Sequence, residues 1–450
     1  MFSSRTLEKL KWMFPREIKS SDDAKDLLRS LNTGAAPISH LWENANPYLF
    51  WQAYANVGAS EVGFETCLAR LRYEYFNAIS QYKAGPDVDS IFSAIILLTA
   101  RNKRFSEQAE IVQDFARRFP RSAFSSAHVV KNALFSGEVE RAEYEFRRRI
   151  LSRPAGQANG EKLYWGSILQ LHDLLLPQID SLRSHAGSNP GLSRQMRTLE
   201  AYGIRGPIKQ PSNDHLDAYC ISLPADSQRL NFSTKIFGKL GIRLNHVVGV
   251  AGASVPLKIR RRSAQYDIGG GEYGCFASHV AVWEKIAKAN TPGLVLEDDA
   301  VPAFPFTGNE LRDLIPNDAE IVFVNDRCCS FVAAEFQSDL STSTIVSDEA
   351  LDWTRLSNAS LLGSDGYVLT PMGAVKLLRL FDLCAMTLPL DWHLFVASRR
   401  GHYSNSVFSA ERTAPLFRAV ENIGPMKAYF QTLPHVVNLD FDYSAIREYN

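Results

Sequence analysis

The chain has 450 residues, 45% hydrophobic and 22% charged, with 49 basic and 49 acidic side chains. This is the make-up of a globular protein long enough for two or three domains, which excludes disordered and fibrous classes. The balanced charge lacks the basic footprint of a dedicated nucleic-acid binder, so no nucleic-acid partner is expected. Six cysteines show neither zinc-ribbon nor redox-motif spacing, and several lie in apolar runs such as "FETCLARL" and "AYCISL". There a free thiol behaves as a small buried hydrophobe, which fits a reducing compartment.

The first residues, "MFSSRTLEKLKWMFPREIKSS", lack the apolar core of a signal peptide, and no apolar run reaches the ~20 residues of a membrane span. A cytoplasmic location is therefore expected. Leu7, Leu10 and Phe14 share a helical face, with Arg5, Lys9, Lys11, Arg16 and Lys19 nearby. That pattern is compatible with peripheral contact at the inner face of a membrane, or equally with a helix packed on its own domain.

Residues 1–205 read as a helical domain. Stretches such as "EVGFETCLARLRYEYFNAIS" and "VERAEYEFRRRIL" place apolar residues at three- and four-residue intervals. Pro86, Pro120 and Pro154 recur at the ~34-residue period of a tetratricopeptide repeat. In the unit ending at Pro154, Gly137 falls at the inter-helix turn, Ala142 where two helices approach, and Phe146 on the packing face of the second helix. The domain is thus tetratricopeptide-like, an architecture that docks a protein partner or acceptor, or else serves as a plain structural extension.

Residues 206–215, inside "YGIRGPIKQPSNDH", read as a linker poor in core-forming side chains. From 216 to 450 the texture changes. Short β-branched runs ("AYCISL", "LNHVVGV", "GLVLE", "EIVFV") alternate with helical patterns such as "SHVAVWEKIAKA" and "PMGAVKLLRLF". This predicts an α/β domain with a mostly parallel sheet, whose site should lie where strands end. One such end is "GLVLEDDA", where a buried strand runs into Glu297, Asp298 and Asp299. So many like charges are costly unless water or a cation relieves them. Alternation along an extended segment would put Glu297 and Asp299 on one side, with Asp298 on the other.

Five pieces of this domain line up: "YCISLPADSQRL", "GGGEYGCFASHVAVWEKI", "GLVLEDDA", "LLGSDGYVLTPMGAVKLL" and "LPLDW". Together they resemble glycosyltransferase family 25 over about residues 216–395. The most specific elements are Gly271, Glu272, Gly274, Cys275, Ser278, His279 and Trp283, followed by Leu-Glu-Asp-Asp-Ala. Ser222 departs from the Asn of many members, and "VVGVAGAS" lacks the usual Asp-Gly.

The resemblance implies a GT-A type nucleotide-binding fold, a UDP-sugar donor, a glycan acceptor such as bacterial lipopolysaccharide, and usually Mn²⁺. Glu297 and Asp299 are the candidate ligands for Mn²⁺ or Mg²⁺, whose preference for oxygen donors suits them. Asp298 is expected to face the ribose or a partner side chain. Ser222, Leu223, Arg229, Gly271, Ser278 and His279 are the further candidate donor contacts. For Arg229 a surface salt bridge competes with a phosphate contact.

Transfer with inversion requires a base for the acceptor hydroxyl, and Asp391 and Asp365 are the candidates. The competing roles are a helix cap for Asp391 and a turn residue for Asp365. Two other functions stay open on this reading. One is a partner-binding scaffold with an inactive transferase-like domain; the other is a metal-dependent phosphotransferase or nucleotidyltransferase.

Overall fold

The computed structural model describes residues 20, 22–23, 26, 51, 54–55, 63–81, 86–186, 190–205, 216–255, 270–327, 345–347, 363–398 and 410–439. The amphipathic segment at the start, the linker 206–215, Cys328 and Cys329 lie outside them. The chain forms two compact units that divide between Asn132 and Ala133.

The first unit is helical, with α1 (Phe64–Gln81), α2 (Pro86–Arg101), α3 (Phe105–Arg118) and most of α4 (Ala123–Phe135). In α3 the buried residues Gln108, Ile111, Val112, Phe115 and Ala116 follow the helical period that the sequence shows. Phe92 stacks on Phe115 with ring centroids 4.0 Å apart. A buried polar chain crosses this core: Asn132 Nδ2 donates to Gln108 Oε1 at 3.0 Å, and Gln108 Nε2 donates to the Ile96 carbonyl at 3.1 Å. These bonds give both side-chain amides partners inside the core.

The second unit begins with more helices: α5 (Val139–Phe146), α6 (Asn159–Ile168), α7 (His172–Leu175), α8 (Ile179–Ala186) and α9 (Pro190–Arg205). Gly137 forms the turn before α5 with φ +73°, and Ala142 and Phe146 are fully buried. The positive φ there favours glycine, and a Cβ would also have to push aside Asn231 Nδ2, 2.6 Å away.

The sheet strands of this unit are β1 (Asp217–Ser222), β2 (Leu244–Val248), β3 (Gly293–Glu297), β5 (Ile321–Phe323), β6 (Ile345–Ser347), β7 (Gly366–Leu369) and β8 (Ala428–Gln431). Their spatial order is β2-β1-β3-β7-β5-β8-β6, and a separate ribbon pairs β4 (Ala300–Pro302) with β9 (Val436–Asn438). The helices are α10 (Ser227–Lys239), α11 (Gly270–Ala289), α12 (Gly308–Asp313), α13 (Pro371–Cys384), α14 (Leu390–Ala397) and α15 (Ala410–Ile423). Strands and helices do alternate, but the expected mostly parallel sheet is in fact mixed. β7 lies antiparallel between β3 and β5, and β6 pairs antiparallel with β8. Buried strands read as apolar runs whichever way they point, so direction was not encoded in the pattern.

That reversal positions the site. Because Leu296 of β3 pairs with Gly366 of β7, the loop entering β7 arrives beside the residue that ends β3. β1 ends on the same edge, with Ile221 opposite Glu297.

The helices before the sheet pack onto it. Ala201 of α9 shares a core with Leu216, Ala218, Phe237 and Leu294. Lys235 Nζ of α10 donates to the Gly137 carbonyl at 2.9 Å, and Gln170 Nε2 donates to the Pro302 carbonyl at 2.7 Å. The compact units therefore divide well before the 206–215 segment where the sequence changes texture.

Candidate functional site

β3 delivers Glu297, and the turn after it delivers Asp298 and Asp299 before β4 begins. The turn breaks the simple alternation expected of an extended chain. Arg229, from the first turn of α10, places Nη2 2.6 Å from Asp298 Oδ1 and 3.0 Å from Asp299 Oδ2. Arg229 is buried, so neither a surface ion pair nor an open phosphate contact describes it.

Ser222 Oγ donates to Asp298 Oδ2 at 2.7 Å, and Ser233 Oγ donates to the Asp298 carbonyl at 2.8 Å. Asp298 is therefore bound inside the protein by β1 and α10. Burial is the main influence raising Asp298, with Asp299 adding to it; burial likewise raises Asp299, with Glu297 adding to it. Two carboxylates here share one guanidinium. Among the described residues Asp299 Oδ1 is buried without a hydrogen-bond partner, while a hydrogen bond to Asn438 lowers the Asp299 carboxyl.

Glu297 faces other groups. Ser364 Oγ lies 2.7 Å from Glu297 Oε1 and 3.0 Å from Asp391 Oδ1, linking the end of β3 to the start of α14. His279 Nε2 is 3.5 Å from Glu297 Oε1, a close electrostatic contact too long for a good hydrogen bond. Burial alone would raise Glu297, but the His279 ring, the Ser364 hydroxyl and the Arg327 charge outweigh it and hold the carboxyl at about 2.

Asp391 is the second residue of α14, whose N-cap is Pro389, so the side chain is not the helix cap. Burial raises Asp391, and the Glu297 charge adds to the effect. Asp365 is almost wholly buried in the turn that opens β7, 3.6 Å from Arg327 Nη2. Burial pushes it up to about 7. Arg327 is raised by Asp365 first, then by Asp391, Glu297 and Asp299, so one guanidinium feels four carboxylates.

The glycine-rich block is built into the scaffold. Cβ atoms on Gly252 and Gly274 would stand 1.7 Å from the Gly270 carbonyl oxygen and 2.3 Å from that of Val250, so the loop after β2 and the start of α11 touch backbone to backbone. Ser278 Oγ donates to the Gly274 carbonyl at 2.7 Å and accepts the Val250 N–H at 2.8 Å. Gly271 is buried in the first turn of α11. Leu223 is half-buried just past β1, and its backbone begins the short turn into α10. His279 is fully buried, with Nδ1 2.8 Å from Tyr367 Oη, which accepts from Trp283 Nε1 at 2.9 Å.

Of the predicted residues, Glu297, Asp299, Asp365, Asp391 and His279 therefore converge on one region, while Ser222, Arg229 and Ser278 are engaged in the scaffold. Ser364 and Arg327 were missed. Ser364 stands inside the "GSDGY" stretch but has no charge to draw notice, and Arg327 follows β5 without a motif around it.

The oxygen donors suit a hard divalent cation: Glu297 is held ionised, and among the described residues Asp299 Oδ1 is buried without a hydrogen-bond partner. Strand ends, an acidic turn and a glycine-bound helix start meet at one edge of the sheet, a layout compatible with a glycosyltransferase domain. The comparisons agree with this class. Residues 215–393 match the family described as "Glycosyltransferase family 25 (LPS biosynthesis protein)", so the chain carries a glycosyltransferase family 25 domain. It is also similar to a "Glycosyltransferase 25 family member" of Anopheles gambiae, 24% identical over 265 residues, which cover 54% of this chain and 42% of that protein. Among the described residues no helix is long and apolar enough to cross a membrane.

Proposed function

We propose that the protein is an inverting glycosyltransferase that moves a sugar from a UDP-sugar to a hydroxyl of a glycan acceptor. The observation that carries this reading is the convergence of Glu297, Asp299, Asp365 and Asp391 on Arg327 within the family 25 domain. Glu297 and Asp299 would hold Mn²⁺ or Mg²⁺, which supplies Lewis-acid neutralisation of the departing diphosphate. Arg229 fixes Asp299 from behind through Oδ2, leaving Oδ1 for that role. Asp391 receives the acceptor proton, and Ser364 keeps it aligned with Glu297. Asp365, 3.6 Å from Arg327 Nη2, is the rival for that role.

A GT-A fold, galactose as the sugar and a bacterial surface glycan such as lipopolysaccharide as the acceptor are the finer reading. The family's description supports the last of these. The alternatives of an inactive scaffold or a phosphotransferase leave the ionised Glu297 and the Ser364 link to Asp391 without roles. A UDP-sugar panel with Mn²⁺ tests the proposal: slow UDP release without acceptor, abolished in Asp299→Ala while the fold persists, is the expected result. Unchanged release by that variant at saturating donor would remove Asp299 as a ligand.

A further inference from the structure

Three side chains in this region carry donor atoms of a different chemistry. α11 presents Cys275 and His279 four residues apart, hence on one helical face, and Glu297 meets them from the end of β3. The Cys275 Sγ, His279 nitrogen and Glu297 carboxylate oxygen all lie within 4.8 Å of one another. His279 Nε2 and Glu297 Oε1 are 3.5 Å apart. Around a tetrahedral ion with bonds of about 2.0–2.3 Å, neighbouring ligands sit about 3.3–3.8 Å apart, so this edge already has the required length.

A second observation points into the same spot. His279 is fully buried, and among the described residues Nε2 makes no hydrogen bond of good geometry, its nearest partner being Glu297 Oε1 at 3.5 Å. An imidazole nitrogen facing a thiol and a carboxylate with only that long contact is poorly satisfied, and an ion between the three donors would complete it.

The surroundings are also those of a ligand set. Metal-bound histidines are held at the other ring nitrogen, and here Nδ1 is 2.8 Å from Tyr367 Oη. For Nε2 to ligate, Nδ1–H must donate to that oxygen, whose two lone pairs then accept from His279 and from Trp283 Nε1 at 2.9 Å. Ser364 Oγ holds Glu297 Oε1 at 2.7 Å in the same manner.

We propose that Cys275, His279 and Glu297 form a binding site for a borderline-soft divalent ion of the Zn²⁺ class, distinct in chemistry from the hard-cation site but sharing Glu297 with it. A thiolate and an imidazole select such an ion over Mn²⁺ or Mg²⁺. Binding replaces the thiol proton, which leaves to solvent as the Sγ–metal bond forms. The site itself is independent of the transferase reading. Only its consequence rests on that reading: an ion held by Cys275 and His279 withdraws Glu297 from the activating cation, so zinc should compete with Mn²⁺.

The experiment titrates the full-length, metal-free protein with Co²⁺ as a spectroscopic probe. A thiolate-to-cobalt charge-transfer band that Zn²⁺ abolishes is expected in the wild type and in Asp299→Asn. Cys275→Ser should lose the band, and both it and Glu297→Gln should bind Zn²⁺ at least about tenfold more weakly. No band in the wild type, or unchanged zinc affinity in both variants, overturns the site. Zinc that binds without opposing Mn²⁺-dependent turnover overturns the sharing of Glu297. A protein that shows the band but transfers no sugar would keep this site and remove the transferase reading.

Discussion

The two halves of the acidic turn solve the same electrostatic problem in opposite ways. On one side Asp298 and Asp299 meet a buried guanidinium at 2.6 and 3.0 Å, with serine hydroxyls from β1 and α10 closing the network. On the other, Glu297 and Asp391 are joined by a neutral hydroxyl, and Arg327 answers four carboxylates at once. The first half is nearly complete within the protein and acts as a foundation. The second is closed only by one shared hydroxyl and one guanidinium among several raised carboxyls, and an arrangement so incompletely closed is the one that can respond to a ligand.

The sharpest way to break this contrast is to remove one group from each half. Arg229→Met should leave two buried carboxylates uncompensated and cost about 3–5 kcal/mol, read as a lowered denaturation midpoint. A variant that melts like the wild type would mean that Arg229 is no foundation. Asp391→Asn should do the converse. Its donor affinity and melting temperature should stay near wild type while turnover falls by about 10²–10⁴, the usual contribution of a general base. Near-normal turnover would pass the role to Asp365.

Smaller changes sharpen the comparison. Ser364→Ala removes a hydroxyl between two carboxylates, so stability should fall by only about 1–2 kcal/mol while donor-independent cation affinity changes as well. A purely structural serine would show the first effect without the second, which calorimetry with Mn²⁺ distinguishes. The smallest effect is a pH slope. Asp365 rises from an ordinary 3.8 to about 7 through burial, so between those limits the folded protein holds a proton that the unfolded chain has lost. Its contribution is full below the lower limit and is lost as pH rises through the upper one. Melting curves of wild type and Asp365→Asn should accordingly diverge on going from acid to neutral pH, with the wild type losing ground; parallel curves would contradict the buried proton.

Much of this site could be read from the chain. The strand ending in Glu297, the glycine-bound start of α11 and the acidic residue opening α14 each carry a local signature. What escaped depends on contacts remote in sequence. Ser364 matters because β7 runs antiparallel to β3, and an apolar four-residue strand gives no hint of direction. Asp298 looked like its neighbours until the turn carried it toward Ser222 and Arg229. The helices from α5 to α9 resemble the helices before them in periodicity, yet Ala201 and Gln170 attach them to the α/β domain through side chains that no period marks.

The serine hydroxyl also imposes a proton count. Ser364 has one hydrogen and two oxygen neighbours, Glu297 Oε1 at 2.7 Å and Asp391 Oδ1 at 3.0 Å. A hydroxyl donates once, so if both contacts are hydrogen bonds the other hydrogen must come from a carboxyl group. The His279 ring, the Ser364 hydroxyl and the Arg327 charge hold Glu297 low, whereas burial and the Glu297 charge raise Asp391, so Asp391 is the carboxyl more disposed to carry it. With Asp391 as the base proposed above, that proton would have to leave before the acceptor's could be taken. A cation settling beside Glu297 would favour that loss, coupling activation to acid release. Binding heats for Mn²⁺ should then vary with the ionisation enthalpy of the buffer, and the dependence should shrink in Asp391→Asn.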